Sequence, residues 1–160
     1  MAETPLTENE LILRYLRKLN STMLNAIRDL SEEELNWQPP IPQCNSIYVI
    51  LYHAATATYW WLNVVKGNII ERDRPTEFSS HGTFVQIEEM FTSWLHAAEQ
   101  IVPTLQAEDY ETVHILARGQ YTTRDALLHT IEHLSLHLGH IEITQQWLRL
   151  RNREQKESIH

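Results

Sequence analysis

The sequence predicts an all-α fold, a four-helix bundle with a long loop between its second and third helices. Three observations lead there. Four segments of about twenty residues carry apolar residues at helical spacing. Glycine occurs only 4 times and proline 6 times in 160 residues, and no Pro or Gly cluster reads as a domain linker. The breaks that do occur fall between the periodic segments. A chain of this length suits one domain with one hydrophobic core. That domain is assigned to residues 1–150, with residues 151–160 as a frayed or disordered charged tail.

The first helix is placed at about 7–30. Thr7 can cap it and Glu10, three residues on, completes a capping box. Leu11, Leu16, Leu19, Met23, Ile27 and Leu30 supply its apolar face. Trp37-Gln-Pro-Pro-Ile-Pro-Gln then forces an extended connection. The second helix starts at Asn45 or Ser46, both good N-cap types, and ends before Gly67. It is apolar around most of its circumference, so it should be largely buried. His53 sits in its middle. A polar loop follows from Gly67 to Gly82, and the third helix runs from about Thr83 to Val102. The stretch from Asp109 to Tyr121 could be a short strand or an extended arm. Thr122-Thr-Arg-Asp125 opens the fourth helix as a capping box, and that helix runs to about Leu150.

The fourth helix carries the most informative pattern in the chain. His129, His133, His137 and His140 fall on one stripe, because a step of four residues advances a helix by only about 40°. The stripe is roughly 80° wide and is flanked by Leu127, Leu128, Ile131, Leu134, Leu138 and Ile141. A buried histidine is ordinarily a core residue with satisfied hydrogen bonds. An i, i+4 pair can also aim two ring nitrogens at one point, as a transition metal requires. His53, placed across a bundle from His133 and His137, would complete a three-histidine site with an open position, the architecture of a catalytic metal.

At this point the sequence resembles the DinB-like superfamily of metal-binding four-helix bundles, with its YfiT-like and thiol S-transferase branches. Ser46-Ile-Tyr-Val-Ile-Leu-Tyr-His53, followed by Trp60-Trp61-Leu62, forms one resembling block. Thr122-Thr-Arg-Asp-Ala-Leu-Leu-His129, continuing as Glu132-His133-Leu-Ser-Leu-His137-Leu-Gly139, forms the other. The resemblance implies a DinB/YfiT-like bundle in which His53, His133 and His137 bind a divalent metal, zinc or nickel. It implies a metal-dependent enzyme, a thiol S-transferase that moves a low-molecular-weight thiol onto a small electrophile, or a hydrolase or isomerase. The alternative is a non-catalytic metal-binding module. The family's His-x-Gly-Gln is replaced here by His137-Leu-Gly139-His140. His140 is therefore an additional ligand, a supporting residue or a packing residue. Gly139 costs a helix interior about 1 kcal/mol relative to Ala, and close helix or subunit approach is the expected reason for it.

The remaining candidates are weaker. His129 is expected beside the ligands or at the surface. Trp60, seven residues from His53, is expected to line a pocket. Cys44 reads as a small apolar turn residue, and Glu132 points away from His133 and is a doubtful base. His81, His96, His114 and His160 carry no spacing signal. The balance of 13 Lys plus Arg against 21 Asp plus Glu, a net charge of −8, argues against nucleic acid as a partner. No apolar run reaches a membrane span. A single cysteine and an N-terminus without signal-peptide character lead to an expected cytoplasmic location. Trp61, Trp147 and Leu148 exceed one obvious bundle stripe and suggest a homodimer.

Overall fold

The structure is a computed structural model that describes residues 5–157. Its long helices are α1 (Glu8–Ile27), α3 (Ile47–Val65), α5 (Phe84–Ile101) and α6 (Thr123–Glu157). Two short helices, α2 (Glu32–Asn36) and α4 (Arg74–Phe78), lie in the connections. Around the bundle α1 packs on α5, α5 on α3, α3 on α6, and α6 back on α1. Leu16, Met23, Leu51, Leu62, Phe91, Trp94, Leu127 and Leu134 are fully buried between them.

Local chemistry sets the helix starts. The Thr7–Glu10 box caps α1, Ser31–Glu34 caps α2 in the same way, and Thr83–Gln86 caps α5. Ser46 accepts a hydrogen bond from the Val49 amide at the start of α3. That helix ends at Val65, and the chain turns away past Lys66 at Gly67, whose φ of 78° is the left-handed conformation glycine adopts freely.

Three features differ from the sequence expectations, and one stretch left open between strand and extended arm takes the strand alternative. The first helix stops at Ile27, because Ser31-Glu-Glu-Glu34 nucleates a separate turn. The polar 67–82 segment contains α4, with Asp73 accepting from the Thr76 amide and Pro75 in its first turn. The ambiguous stretch is an antiparallel hairpin, Val113–Leu116 paired with Gly119–Thr122. The last helix continues past Leu150 to Glu157 rather than fraying at 151. Arg151 pairs with Glu33, Asn152 donates to Glu34, and Arg151 lies over the Trp37 ring, so α2 holds this end. Residues 158–160 of the expected tail lie outside the described residues.

Two residues expected at a subunit contact, Trp61 and Leu148, are buried in the chain's own core, while Trp147 is exposed. A Cβ on Gly139 would meet nothing within 4 Å, so no close approach inside the chain explains that glycine. No helix among the described residues is long and apolar enough to cross a membrane.

Candidate metal centre

The α3–α6 contact brings His53 opposite His133 and His137. His53 is buried, and the other two are half-buried. His53 Nε2 lies 3.2 Å from His133 Nε2, and His137 Nε2 lies 3.1 Å from the same atom. One ring nitrogen from each of the three lies within 4.8 Å of the others.

The other nitrogen of His53 identifies its tautomer. Nδ1 is 2.8 Å from Glu77 Oε2 on α4, and Glu77 is only 3% exposed. Burial pushes this carboxyl toward the neutral form. The hydrogen bonds from Arg72 and His53 outweigh that and hold its pKa below the usual carboxylate value. Arg72 grips it through Nε at 2.9 Å and Nη2 at 2.7 Å. An ionised carboxylate only accepts, so His53 must donate from Nδ1 and present the Nε2 lone pair to His133 and His137.

The three rings are neutral near pH 7. Burial lowers His133 to about 3, aided by the charges of His137 and His53. Burial lowers His137 to about 4, aided by His53 and His140. Burial also lowers His53, against the pull of Glu77. A neutral His133 carries at most one proton on Nε2, so it can donate to one neighbour and not to both. At least one close nitrogen pair is then left without a proton between its lone pairs. A divalent cation accepts all three lone pairs at once. Tetrahedral coordination with bonds of 2.0–2.1 Å separates imidazole nitrogens by about 3.3 Å, close to the separations found here. The donor set fits zinc, nickel or another borderline divalent ion.

The neighbours divide by role. His140 is exposed and turns Nδ1 to within 3.4 Å of His137 Nδ1, the nitrogen facing away from the cluster. It does not belong to the group of three. His129 is also outside the group. Its ring meets Trp61 at 5.0 Å and its Nδ1 lies 3.5 Å from Glu132. Phe78 covers His53, with ring centroids 5.0 Å apart. A cavity of about 320 Å³ opens beside His53 and His137, walled by Cys44, Ile50, Phe78, His140, Ile143 and Thr144. Trp60 is not among its walls. That residue donates to the Ile70 carbonyl and lines a different cavity. Cys44, read from sequence as a plain turn residue, does line the histidine cavity. His81 and His96 are exposed, and His114 sits on the hairpin 2.9 Å from Thr123 Oγ1. His160 lies outside the described residues.

Sequence reasoning missed Glu77 and Arg72. Asp73-Arg-Pro75 does announce a helix start, so α4 was open to discovery. Nothing local indicates that Glu77 reaches a histidine 24 positions earlier.

Residues 15–141 match the DinB superfamily. Three solved structures share the fold. One is a conserved protein from Enterococcus faecalis, 11% identical, with a TM-score of 0.76 over 90% of this chain and 98% of the other. YfiT from Bacillus subtilis is 12% identical, with a TM-score of 0.76 over 92% and 93% of the two chains, and is described as a probable metal-dependent hydrolase with an unusual four-helix bundle topology. A DinB-like protein of Bacillus subtilis is 16% identical, with a TM-score of 0.66 over 89% and 92%. No curated protein matches the sequence.

Proposed function

The chain belongs to the DinB superfamily, and from that premise we propose that it is a metal-dependent enzyme whose ion is held by His53, His133 and His137. The observation that carries the proposal is the convergence of three imidazole nitrogens, one of them fixed from behind by a buried carboxylate. Zinc or nickel there would supply Lewis acidity, lowering the pKa of a thiol or water toward neutrality.

The chain's own groups do the rest. Glu77 keeps the proton on His53 Nδ1, and Arg72 keeps Glu77 ionised. His140 supports His137 from its outer nitrogen. Ile50, Phe78 and Ile143 form apolar walls that limit water beside the histidines. A cavity of about 320 Å³ suits a small electrophile. A structural ion would want a fourth protein ligand, and the orientation of His140 supports an open position instead.

The finer reading is transfer of a low-molecular-weight thiol to an electrophile. Its support is the largely apolar wall beside the histidines, which carries no carboxylate among the described residues and suits a thiol that ionises readily without a dedicated base. Hydrolysis is the second reading, favoured by His140 at the cavity as a proton acceptor and by the description of YfiT. The protein, loaded with Zn²⁺ or Ni²⁺, is to be screened with glutathione, cysteine, bacillithiol and mycothiol against a generic electrophile, and with activated esters without thiol. A thiol-dependent rate lost in His137→Ala supports transfer, and a thiol-independent rate supports hydrolysis. Neither rate with a fully loaded centre rejects the enzyme reading.

A homodimer through α6 is proposed as well. Leu136, Ile143, Trp147 and Leu150 are exposed along one side of that helix, near the open surface of Gly139.

A further inference from the structure

The cavity lined by Trp60 gathers arginines and apolar side chains. It measures about 340 Å³ and lies where the segment after α3 meets the hairpin. Its walls are Trp60, Ile69, Arg72, Arg74, Ile115, Leu116, Ala117 and Arg118. Three arginines therefore line one cavity, and no aspartate or glutamate lines it among the described residues, in a chain of net charge −8.

The arginines differ in what already holds them. Arg72 is gripped by Glu77. Arg74 and Arg118 form no ion pair among the described residues. Arg118 lies over the rings of Trp60 at 5.4 Å and Trp61 at 4.8 Å, which braces its stem and plane while leaving its N–H groups free to donate.

The apolar half of the cavity is equally unsatisfied. Ile69 and Ile115 are 70% and 72% exposed, the two most exposed large apolar residues among those described. They come from distant segments yet wall the same cavity. Two unpaired guanidinium groups beside uncovered aliphatic surface call for a ligand with an anionic head and an apolar body. The volume falls in the range of small-molecule sites and is too small and concave for a flat protein interface.

We propose that this cavity binds a small organic carboxylate, its head on Arg74 and Arg118 and its apolar body against Ile69, Ile115 and Trp60. A planar carboxylate matches the guanidinium fork. No lining residue belongs to the histidine cluster, so the proposal stands without the metal reading.

The test uses the full chain after removal of metal by chelation, so that no ion can recruit the anion. Benzoate, benzamide and inorganic phosphate are titrated by calorimetry, with tryptophan fluorescence reporting on Trp60 and Trp61. Benzoate should bind saturably, more weakly as ionic strength rises, and perturb the fluorescence. Arg74→Gln and Arg118→Gln, both at exposed positions, should each weaken it about tenfold, the scale of one charge-assisted hydrogen bond. Lys18→Gln, an exposed charge change on α1 outside this cavity, should bind benzoate like the wild type, which separates the site from a general effect of net charge. Equal binding of benzamide would overturn the anionic half, and equal binding of phosphate would overturn the apolar half. Absence of saturation with benzoate, or wild-type affinity in both arginine variants, would overturn the whole.

Discussion

Replacing Glu77 with glutamine keeps the side chain's shape and removes its charge. The carboxylate accepts three hydrogen bonds, two from Arg72 and one from His53 Nδ1. A glutamine has one acceptor oxygen, and its amide nitrogen must face a donor, either the guanidinium or the imidazole N–H. Breaking a buried ion pair from one side costs about 3–5 kcal/mol. The Arg72 side chain remains 13% exposed, so water recovers part of this and a loss of about 2–3 kcal/mol is expected. The effect on metal is separable. Without an obligate acceptor at Nδ1, His53 can carry its proton on Nε2 and withdraw the lone pair from the cluster. Removing such a supporting partner typically lowers metal affinity by about 10–100-fold. Zinc affinity is to be measured by competition with a chromophoric chelator, beside urea unfolding of the metal-free variant to establish that it is folded. A folded Glu77→Gln protein with zinc affinity within about twofold of wild type would refute the role given to Glu77.

Other outcomes follow from the same geometry. His53→Ala and His133→Ala should each fail to retain one equivalent of zinc after chelation, reloading and desalting, whereas His129→Ala should retain it. In the metal-free protein, His133 and His137 have folded pKa values of about 3 and about 4, below the ordinary 6.5. The unfolded chain therefore binds more protons, so stability rises with pH. It is fully present above about pH 6.5 and is lost as pH falls toward about 4 for His137 and about 3 for His133, by at most about 1.4 kcal/mol per pH unit for each ring and less after solvent screening. Urea midpoints between pH 7 and pH 4 check this, and a midpoint that rises on acidification would contradict it. Leu136→Glu with Ile143→Glu should convert a dimer to a monomer by light scattering, and a wild-type protein that is already monomeric would remove the proposed α6 contact.

How far the site can be read from the sequence depends on how local its causes are. The α6 histidines are legible because helical geometry alone aligns positions 133 and 137. His53 is legible as an ionisable residue inside a largely apolar helix. The capping boxes at Thr7 and Thr122 locate two helix starts by chemistry within three residues. Ser31-Glu-Glu-Glu34 carries the same signal, but the apolar periodicity running on to Leu30 masks it. The continuation of α6 to Glu157 depends on Arg151 and Asn152 reaching Glu33 and Glu34, contacts that only the folded chain creates. The Glu77–Arg72 pair is hidden for the same reason. Its residues look like an ordinary polar loop until α4 folds over His53. Trp60 lines a cavity, as expected, but one away from the histidines, because helical phase gives the face of α3 and not what the hairpin and the 69–74 segment place against it.

The most direct test of the metal centre is a crystal structure of protein loaded with one equivalent of zinc, with anomalous scattering recorded on both sides of the zinc edge. One zinc peak is expected, bound by Nε2 of His53, His133 and His137, with no bond to His140 and with Glu77 still on His53 Nδ1. A zinc ion elsewhere, or one closed off by His140 as a fourth protein ligand, would contradict this coordination.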